Sequence, residues 1–294
     1  LCAIIISMEV TDMYGEKVTL LDGAVGTSLW EKTDNKVSVW RYNVENPEIV
    51  TQLHQEYVEA GAEIILANTF GANAGNIKTS DYSVQQIVKS AMEIAKSAIA
   101  GRAKIALAVG PLSGLLEPYG DISADLAFQM FDEQIGYGVE GGPDLIFIQT
   151  FTDVEMLKIA LKAANQHNLP VFASMSFDQT GHTMMGNSVQ DMLQSIKGFR
   201  VDAVGLNCSL GPKAAVPVIE EFSKNTDLPL LFKPNAGKSS FVNGKTVYES
   251  DIETFSKEAL PALNYGVQYI GGCCGTNAAY IRRLKEELAR LQER

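Results

Sequence analysis

The chain has 294 residues, a formal net charge of −11 and a hydrophobic fraction of 46%. That length suits one large domain, since a closed α/β barrel takes about 250 residues. No cluster of Lys and Arg interrupts the acidic composition, so binding to nucleic acid or to an anionic membrane surface has no support.

The N-terminal segment and the number of cysteines indicate the cellular compartment of the protein. Residues 1–7 are apolar, but the run is too short to cross a bilayer and has no basic flank, so we expect neither a membrane anchor nor a signal peptide. The four cysteines are too few for a disulfide framework. We interpret residues 1–17 as an N-terminal extension with an inert Cys2 and residues 18–294 as one domain, and we expect a cytoplasmic location.

From residue 18 onward, apolar runs alternate with amphipathic stretches, which is the pattern of parallel strands joined by crossover helices. The runs predict strands at residues 18–21, 64–67, 104–109, 145–148, 171–175, 204–207, 230–232 and 267–270. The stretches between them predict helices at residues 47–60, 84–100, 123–139, 153–164, 213–223 and 251–263, with two more that begin near 189 and 277. The first of these helices has Asn46 as its cap, Pro47 at its first position and Gly61 as its stop.

Eight strand–helix units without a linker or a low-complexity break predict an α/β protein with a single (β/α)8 TIM barrel. A doubly wound sheet is the alternative. The barrel is favoured because the unusual residues all follow the C-terminal ends of predicted strands, namely Asp22, Asn68, Gly110, Gln149, Ser176, Cys208, Asn235 and the pair Cys273-Cys274. The C-terminal ends of barrel strands share one face, where active sites are built. We therefore expect the functional site on that face.

The most unusual segment is Gly271-Gly272-Cys273-Cys274-Gly275-Thr276, between the last strand and the last helix. Neighbouring side chains of a strand point to opposite faces, so two adjacent cysteines converge only where the backbone leaves strand geometry. The glycines permit that departure, because they tolerate dihedral angles closed to other residues.

A third cysteine, Cys208, follows the sixth predicted strand. Three thiolates with one open position are a ligand set typical of catalytic zinc. The glycine context alone leaves two alternatives open, which are buried apolar cysteines or a strained disulfide between Cys273 and Cys274. In a barrel the sixth and eighth strands bring all three cysteines to the same mouth, which favours zinc.

Five segments together resemble the homocysteine S-methyltransferase family, and within it the zinc-bearing homocysteine domain of cobalamin-dependent methionine synthases. They are Asp22-Gly23-Ala24-Val25-Gly26-Thr27, Asn68-Thr69-Phe70-Gly71-Ala72-Asn73, Asn207-Cys208-Ser209, Pro234-Asn235-Ala236-Gly237 and Gly271 to Thr276. The resemblance extends from residue 18 to the C-terminus. It implies a (β/α)8 barrel and a zinc-dependent transfer of a methyl group to a thiol that zinc activates as a thiolate.

The resemblance also implies the roles of individual residues at the metal. Cys208, Cys273 and Cys274 match the zinc ligands of the family. Asn235 matches a position that can occupy the fourth zinc site until the substrate thiol displaces it.

For the substrate, the resemblance points to Asp22 and to the amides around Gly23 and Ala24, which match the loop that holds the amino-acid end of homocysteine. Family members usually carry a glutamate at the end of the fourth strand, where it helps to bind the substrate ammonium. This chain has Gln149 there. Because an amide contributes no charge, we expect the acceptor to be homocysteine or a related thiol.

The methyl donor is expected to come from outside, because neither a folate-binding barrel nor a cobalamin-binding domain fits beside the predicted barrel. The Pro234 to Gly237 segment favours a separate methyl-corrinoid protein, so cobalamin would take part only through a partner. The alternatives are a small donor of the S-methylmethionine or betaine type, and demethylation in a corrinoid methyltransferase system. A zinc or dithiol redox module is the non-enzymatic alternative.

For the remaining candidate residues, a structural role is favoured over a functional one. His54, His167 and His182 have no paired histidine, and we expect them at the surface rather than on a metal. For Met184 and Met185 a packing role is favoured over contact with a methyl donor.

Overall fold

The computed structural model describes residues 10–11, 17–33, 37–78, 80–242 and 245–292, so Cys2 lies outside the described part. The strands are β1 Val10–Thr11, β2 Lys17–Leu20, β3 Ile64–Leu66, β4 Lys104–Val109, β5 Leu145–Phe151, β6 Val171–Met175, β7 Ala203–Asn207, β8 Leu230–Lys233, β9 Ser239–Val242, β10 Lys245–Tyr248 and β11 Val267–Ile270. The α-helices are α1 Gly26–Thr33, α2 Tyr42–Glu45, α3 Pro47–Ala60, α4 Val84–Ile99, α5 Ala124–Glu140, α6 Val154–Ala164, α7 Val189–Ser195, α8 Pro212–Asn225, α9 Ile252–Ala259 and α10 Ala278–Gln292.

Eight strands run parallel and pair side by side in the order β2, β11, β8, β7, β6, β5, β4, β3. A bridge between Leu21 and Ile64 joins the two ends of this series. The Asp22 amide also donates to the Ile64 carbonyl across 3.1 Å. The sheet therefore closes on itself, so the (β/α)8 barrel is confirmed and the doubly wound sheet is wrong. The division at residue 17 stays a prediction.

Local sequence explains where the crossover helices begin and end. α3 starts with Pro47, whose missing N–H costs nothing in the first turn, and it stops at Gly61, which has a left-handed φ of 104°. The Ser123 side chain caps α5 by accepting a hydrogen bond from the Leu126 amide. Ser188 and Asp191 form a reciprocal capping box at α7. These caps fix the loops between strand ends and helices, and those loops carry the site.

Two apolar layers hold the barrel. Alternate strand residues fill its interior, and a larger layer packs between the strands and the surrounding helices. Inside the barrel, the rings of Phe172 and Tyr269 pack at a tilt of 56° with centroids 4.5 Å apart. This packing makes the barrel a rigid support for the residues at its C-terminal face.

Several elements differ from the prediction, and the short helices α1 and α2 were not expected. The hairpin of β9 and β10 was not expected, and it follows β8 at the C-terminal face. β5 extends through Phe151, so Gln149 lies within a strand rather than after one. The helix expected over 251–263 ends as α9 at Ala259 and continues as a 3₁₀ helix, Leu260–Tyr265, because Pro261 has no N–H for an α-helical bond.

In the part of the chain that the structure describes, no helix combines the length and the hydropathy that a membrane crossing requires.

Candidate metal centre and active-site cavity

Three neighbouring strands position the cysteine loops. β7 leads into Cys208 and β11 into Cys273, and β8 lies between them. The end of β8 is hydrogen-bonded to both loops, because the Cys208 amide donates to the Lys233 carbonyl across 3.1 Å and the Cys273 amide to the Pro234 carbonyl across 2.7 Å. The backbone therefore holds the two cysteine loops at a fixed separation.

The three cysteine side chains converge. The Sγ atoms of Cys208, Cys273 and Cys274 all lie within 4.8 Å of one another, and those of Cys208 and Cys274 are 3.8 Å apart. All three cysteines are free, so Cys273 and Cys274 form no disulfide here. Sulfur ligands arranged tetrahedrally at about 2.3 Å from a zinc ion are themselves about 3.8 Å apart. The donor atoms and their spacing therefore fit zinc.

Asn235 is a candidate for the fourth ligand position. Its side chain is buried, and its Oδ1 atom has no hydrogen-bond partner among the described residues. A buried acceptor left unpaired costs about 1–3 kcal/mol, so a compensating partner is expected. A metal ion can be that partner, and coordination by Asn235 stays a prediction.

Three residues near the cluster have left-handed backbones. The φ angles are 64° at Cys208, 58° at Ser209 and 66° at Thr150. Non-glycine residues rarely adopt this region, and a β-branched residue such as Thr150 is a clear outlier there. Each such residue costs about 1–3 kcal/mol, and strain of this kind concentrates at functional sites.

The side chain of Asn207 joins the cluster to the end of β5. Its Oδ1 atom accepts hydrogen bonds from the Thr150 amide at 2.8 Å and from the Ser174 hydroxyl at 2.7 Å. Its Nδ2 atom donates to Thr150 Oγ1 at 2.6 Å and lies 3.8 Å from the Sγ atom of Cys273. All these hydrogen bonds require the same orientation of the Asn207 side-chain amide. Its Nδ2 group is therefore held toward the sulfur of Cys273.

The three thiols differ in acidity. Hydrogen bonds from Cys208 and Cys274, helped by the charge of Lys233, lower the pKa of Cys273 well below its ordinary value. The hydrogen bond with Cys273 raises the pKa of Cys208 to about 12, and the hydrogen bond with Cys208 raises that of Cys274. Without a metal the cluster therefore carries its thiolate on Cys273.

A buried ion pair lies beside the cluster. Lys233 Nζ is 3.0 Å from Asp22 Oδ1, and both side chains are almost fully buried. The same ammonium donates to the carbonyls of Gly23 at 3.2 Å and Gly272 at 2.6 Å. Burial raises the pKa of Asp22, while Lys233 and a 2.7 Å hydrogen bond from the Leu66 amide oppose that rise.

The barrel mouth contains a cavity of about 560 Å³ that reaches the cysteine cluster. Gln149, Thr150 and Lys233 line it together with the three cysteines. Aromatic side chains form part of its wall, namely Trp30, Trp40 and Phe70. The cavity is large enough for a small molecule and opens on the face where barrel active sites lie.

A profile of the homocysteine S-methyltransferase family matches residues 19–288. The chain belongs to this family. It is 26% identical to the methionine synthase of Mycobacterium tuberculosis over 97% of its own length and 26% of that protein. It is 25% identical to the methionine synthase of Mycobacterium leprae over 97% of its own length and 25% of that protein. The chain thus spans about a quarter of the curated relatives it matches.

The fold also matches the crystal structure of the metallated form of the homocysteine methyltransferase MmuM from Escherichia coli. The TM-score is 0.78 at 22% sequence identity, with 92% of this chain and 96% of MmuM covered. The oxidised form of the same protein gives a TM-score of 0.79 at 21% identity, with the same shares covered. Since the identity is low, these likenesses support the barrel fold alone.

The residues that the family resemblance singled out for substrate binding all lie at the C-terminal face of the barrel. They differ in whether they line the cavity. Gln149 and both Gly23 and Ala24 line the cavity. The Ala24 amide, expected near the substrate, already donates to Thr276 Oγ1 at 3.2 Å. Asp22 lies behind the lining in its ion pair with Lys233. Substrate binding by these four residues stays a prediction.

Two residues of this family member were missed by the sequence analysis. Asn207 was quoted only as part of a motif, and Lys233 was not singled out. A lysine that ends the apolar run Leu230-Leu231-Phe232 was the available signal, because a charged residue at the end of a buried strand needs a partner.

One surface assignment and one packing assignment were wrong. His54 is fully buried, because it belongs to the inward stripe of α3 that also contains Val50, Leu53 and Tyr57. Met184 does not pack, because its side chain is 90% exposed. It lies in the loop between β6 and α7.

Proposed function

We propose that the chain is a zinc-dependent thiol S-methyltransferase, which accepts a methyl group from a separate methyl-corrinoid protein onto homocysteine or a related thiol. The observation that carries the proposal is the cluster of three free sulfurs, with the spacing of zinc ligands, at a cavity of substrate size. Membership of the homocysteine S-methyltransferase family supports the same chemistry.

Cys208, Cys273 and Cys274 would hold the ion, with Asn235 as the displaceable fourth ligand. Bound zinc would stabilise the thiolate of the acceptor, which is the form that attacks a methyl group. Three thiolates leave a formal charge of −1 with the divalent ion, and this excess negative charge would keep an acceptor sulfur electron-rich.

The chain's own residues hold this charge in place. Asn207 presents its Nδ2 group 3.8 Å from the sulfur of Cys273, and the Lys233 charge favours the thiolate of the same residue. The aromatic wall of Trp30, Trp40 and Phe70 makes the rest of the cavity apolar. An apolar cavity limits the water around an acceptor sulfur, which preserves its reactivity.

The exposed apolar side chains support a protein as the methyl donor. Every large apolar side chain that is exposed in the described ranges lies beyond the C-terminal strand ends, on loops, at the start of α5 or on the hairpin of β9 and β10, namely Phe70, Leu115, Tyr119, Leu126, Met184, Met185, Phe241, Val242 and Val247. We name this set the apolar rim. Several exposed apolar side chains on one face are typical of a protein interaction site, whereas a small donor would need only the cavity.

Metal analysis tests the first part of the proposal. Full-length protein purified under reducing conditions should contain one zinc per chain, and a chelator should remove both the metal and thiol methylation. A protein that binds no zinc but cycles between a dithiol and a Cys273–Cys274 disulfide would instead be a redox module.

A donor panel tests the second part. With homocysteine as acceptor, a methylated corrinoid protein should support methyl transfer faster than S-methylmethionine or betaine at equal concentrations. Faster transfer from either small molecule would overturn the partner assignment while leaving the zinc-thiolate chemistry intact.

A further inference from the structure

The charged residues of the cavity are few. Among the described residues that line it, the ionisable side chains are Cys208, Cys273, Cys274 and Lys233, and none is Asp or Glu. The lining therefore offers no carboxylate to a bound ligand within the described part of the chain.

Asp22 is the carboxylate that the family resemblance singled out, and it forms an ion pair with Lys233. Oδ1 lies 3.0 Å from Lys233 Nζ, and Oδ2 accepts a hydrogen bond from the Leu66 amide at 2.7 Å. Asp22 is fully buried and is not part of the lining. Whether its carboxylate is ionised beside Lys233 or protonated, the site adds no net negative charge to the cavity.

Lys233 is equally committed. Its ammonium donates to the carbonyls of Gly23 and Gly272, and it forms an ion pair with Asp22 Oδ1 at 3.0 Å that lacks hydrogen-bond geometry. Releasing Asp22 to bind a ligand would leave a buried ammonium short of a partner, which is strongly unfavourable. The ion pair therefore stays closed when a ligand enters.

Gln149 and Thr150 are the polar residues of β5 that line the cavity, and both are neutral. An amide oxygen accepts a hydrogen bond from an ammonium group, but it does not balance the charge that the ammonium loses to burial. A ligand with an ammonium group would therefore enter this cavity without a carboxylate partner.

We infer that the preferred acceptor is an alkyl thiol without an ammonium group, such as a mercapto acid. The inference rests on the proposed function, because it presumes a thiol acceptor, and it narrows the chemical class of that acceptor. A carboxylate on the thiol is tolerated because it meets no other carboxylate in the described lining.

The experiment compares homocysteine with 4-mercaptobutyrate, which lacks only the amino group. Both are titrated into the full chain loaded with Co²⁺, whose sulfur-to-metal absorption band reports thiol binding without turnover. The natural chain is expected to bind 4-mercaptobutyrate at least as tightly as homocysteine.

Two variants sharpen the test. Gln149→Glu restores a carboxylate and should shift the affinity ratio about tenfold toward homocysteine, since a charge-assisted hydrogen bond is about twice as strong as a neutral one. Gln149→Met keeps the volume without charge and should leave the ratio in favour of 4-mercaptobutyrate.

A natural chain that binds homocysteine tenfold more tightly than 4-mercaptobutyrate overturns the inference, and so does a Gln149→Glu ratio equal to the natural one. Those results would leave the proposed function standing, because a thiol still binds the metal. Failure of both thiols to perturb the cobalt band would overturn the proposed function and the inference with it.

Discussion

The base of the barrel mouth and its apolar rim are built in opposite ways. At the base, Asn207 and Lys233 are buried and their polar atoms are bonded to neighbouring strands. On the rim, Met184 and Phe241 expose 90% and 73% of their surfaces. The base is thus fixed by many mutual contacts, whereas the rim presents apolar surface to solvent.

This difference suits the two regions to different functions, namely chemistry at the base and binding of a partner on the rim. Residues that are fully bonded at the base can hold charge and sulfur at set distances, which is what chemistry at a metal requires. The exposed part of an apolar side chain stabilises a complex when another surface covers it. We therefore expect changes at the base to affect metal binding or stability, and changes at rim residues outside the cavity wall to affect partner recognition.

The largest effect is expected at the cysteines. Cys273→Ala should abolish zinc binding and methyl transfer, because it removes the sulfur that carries the thiolate, while the barrel stays folded. The same result is expected for Cys208→Ala and Cys274→Ala, since all three lie on loops beyond strand ends. Metal analysis, activity and circular dichroism of each variant check this.

Cys208→Ser is the matched control for these changes, because it keeps the side-chain size and polarity and replaces only the sulfur. It should lose zinc as the alanine variant does. Full zinc occupancy in any of the single variants would contradict the three-sulfur site.

The next effect is expected at the ion pair. Lys233→Met removes one partner of a buried pair and should lower the free energy of unfolding by about 3–5 kcal/mol. Urea unfolding of the metal-free protein measures it. Lys233→Met combined with Asp22→Leu should recover much of the loss, because no buried charge is then left alone. A loss below about 1 kcal/mol in the single variant would mean that the pair is not buried in solution.

The fold and the cysteines could be predicted because both depend on local patterns. Apolar runs mark the strands, and the glycines around Cys273 and Cys274 mark a backbone that leaves strand geometry. The ion pair of Asp22 with Lys233 could not be predicted, because its partners lie on β8 and at the end of β2 and meet only through the closed barrel. The hairpin of β9 and β10 was missed because no buried face gives it an alternating pattern.

His54 can be compared with the buried polar residues at the base of the barrel mouth. It is a buried ionisable group, but it lacks the hydrogen bonds that those residues make. Neither ring nitrogen has a hydrogen-bond partner among the described residues. Burial lowers the pKa of His54 from 6.5 to about 4. The unfolded chain therefore binds a proton between these values that the folded chain does not, so stability falls as the pH drops from 6.5 to 4.

The loss over that interval should reach about 3 kcal/mol, at 1.36 kcal/mol per unit of pKa difference. Urea unfolding of the metal-free chain at several pH values measures it. His54→Leu should remove this part of the pH dependence, while its stability at pH 8 stays within about 1 kcal/mol of the natural chain. An unchanged slope in the variant would assign the acid sensitivity to other groups.

The smallest effect is expected on the rim, and it is the one that separates a protein donor from a small one. Met184→Ser together with Phe241→Ser should lower kcat/KM for a methylated corrinoid protein about tenfold, because truncating exposed anchors of an interface costs 1–2 kcal/mol. Zinc content and unfolding free energy should not change, since neither side chain is part of the packed core.

Gln166→Ser is the control, because it lies before β6 at the opposite end of the barrel. Free methylcobalamin offers the rim far less surface than a protein donor does, so the double change should lower transfer from it less. An equal loss of kcat/KM with the protein donor and with free methylcobalamin would mean that these residues act on the folding or opening of the cavity. The rim would then not be a separate partner-binding surface.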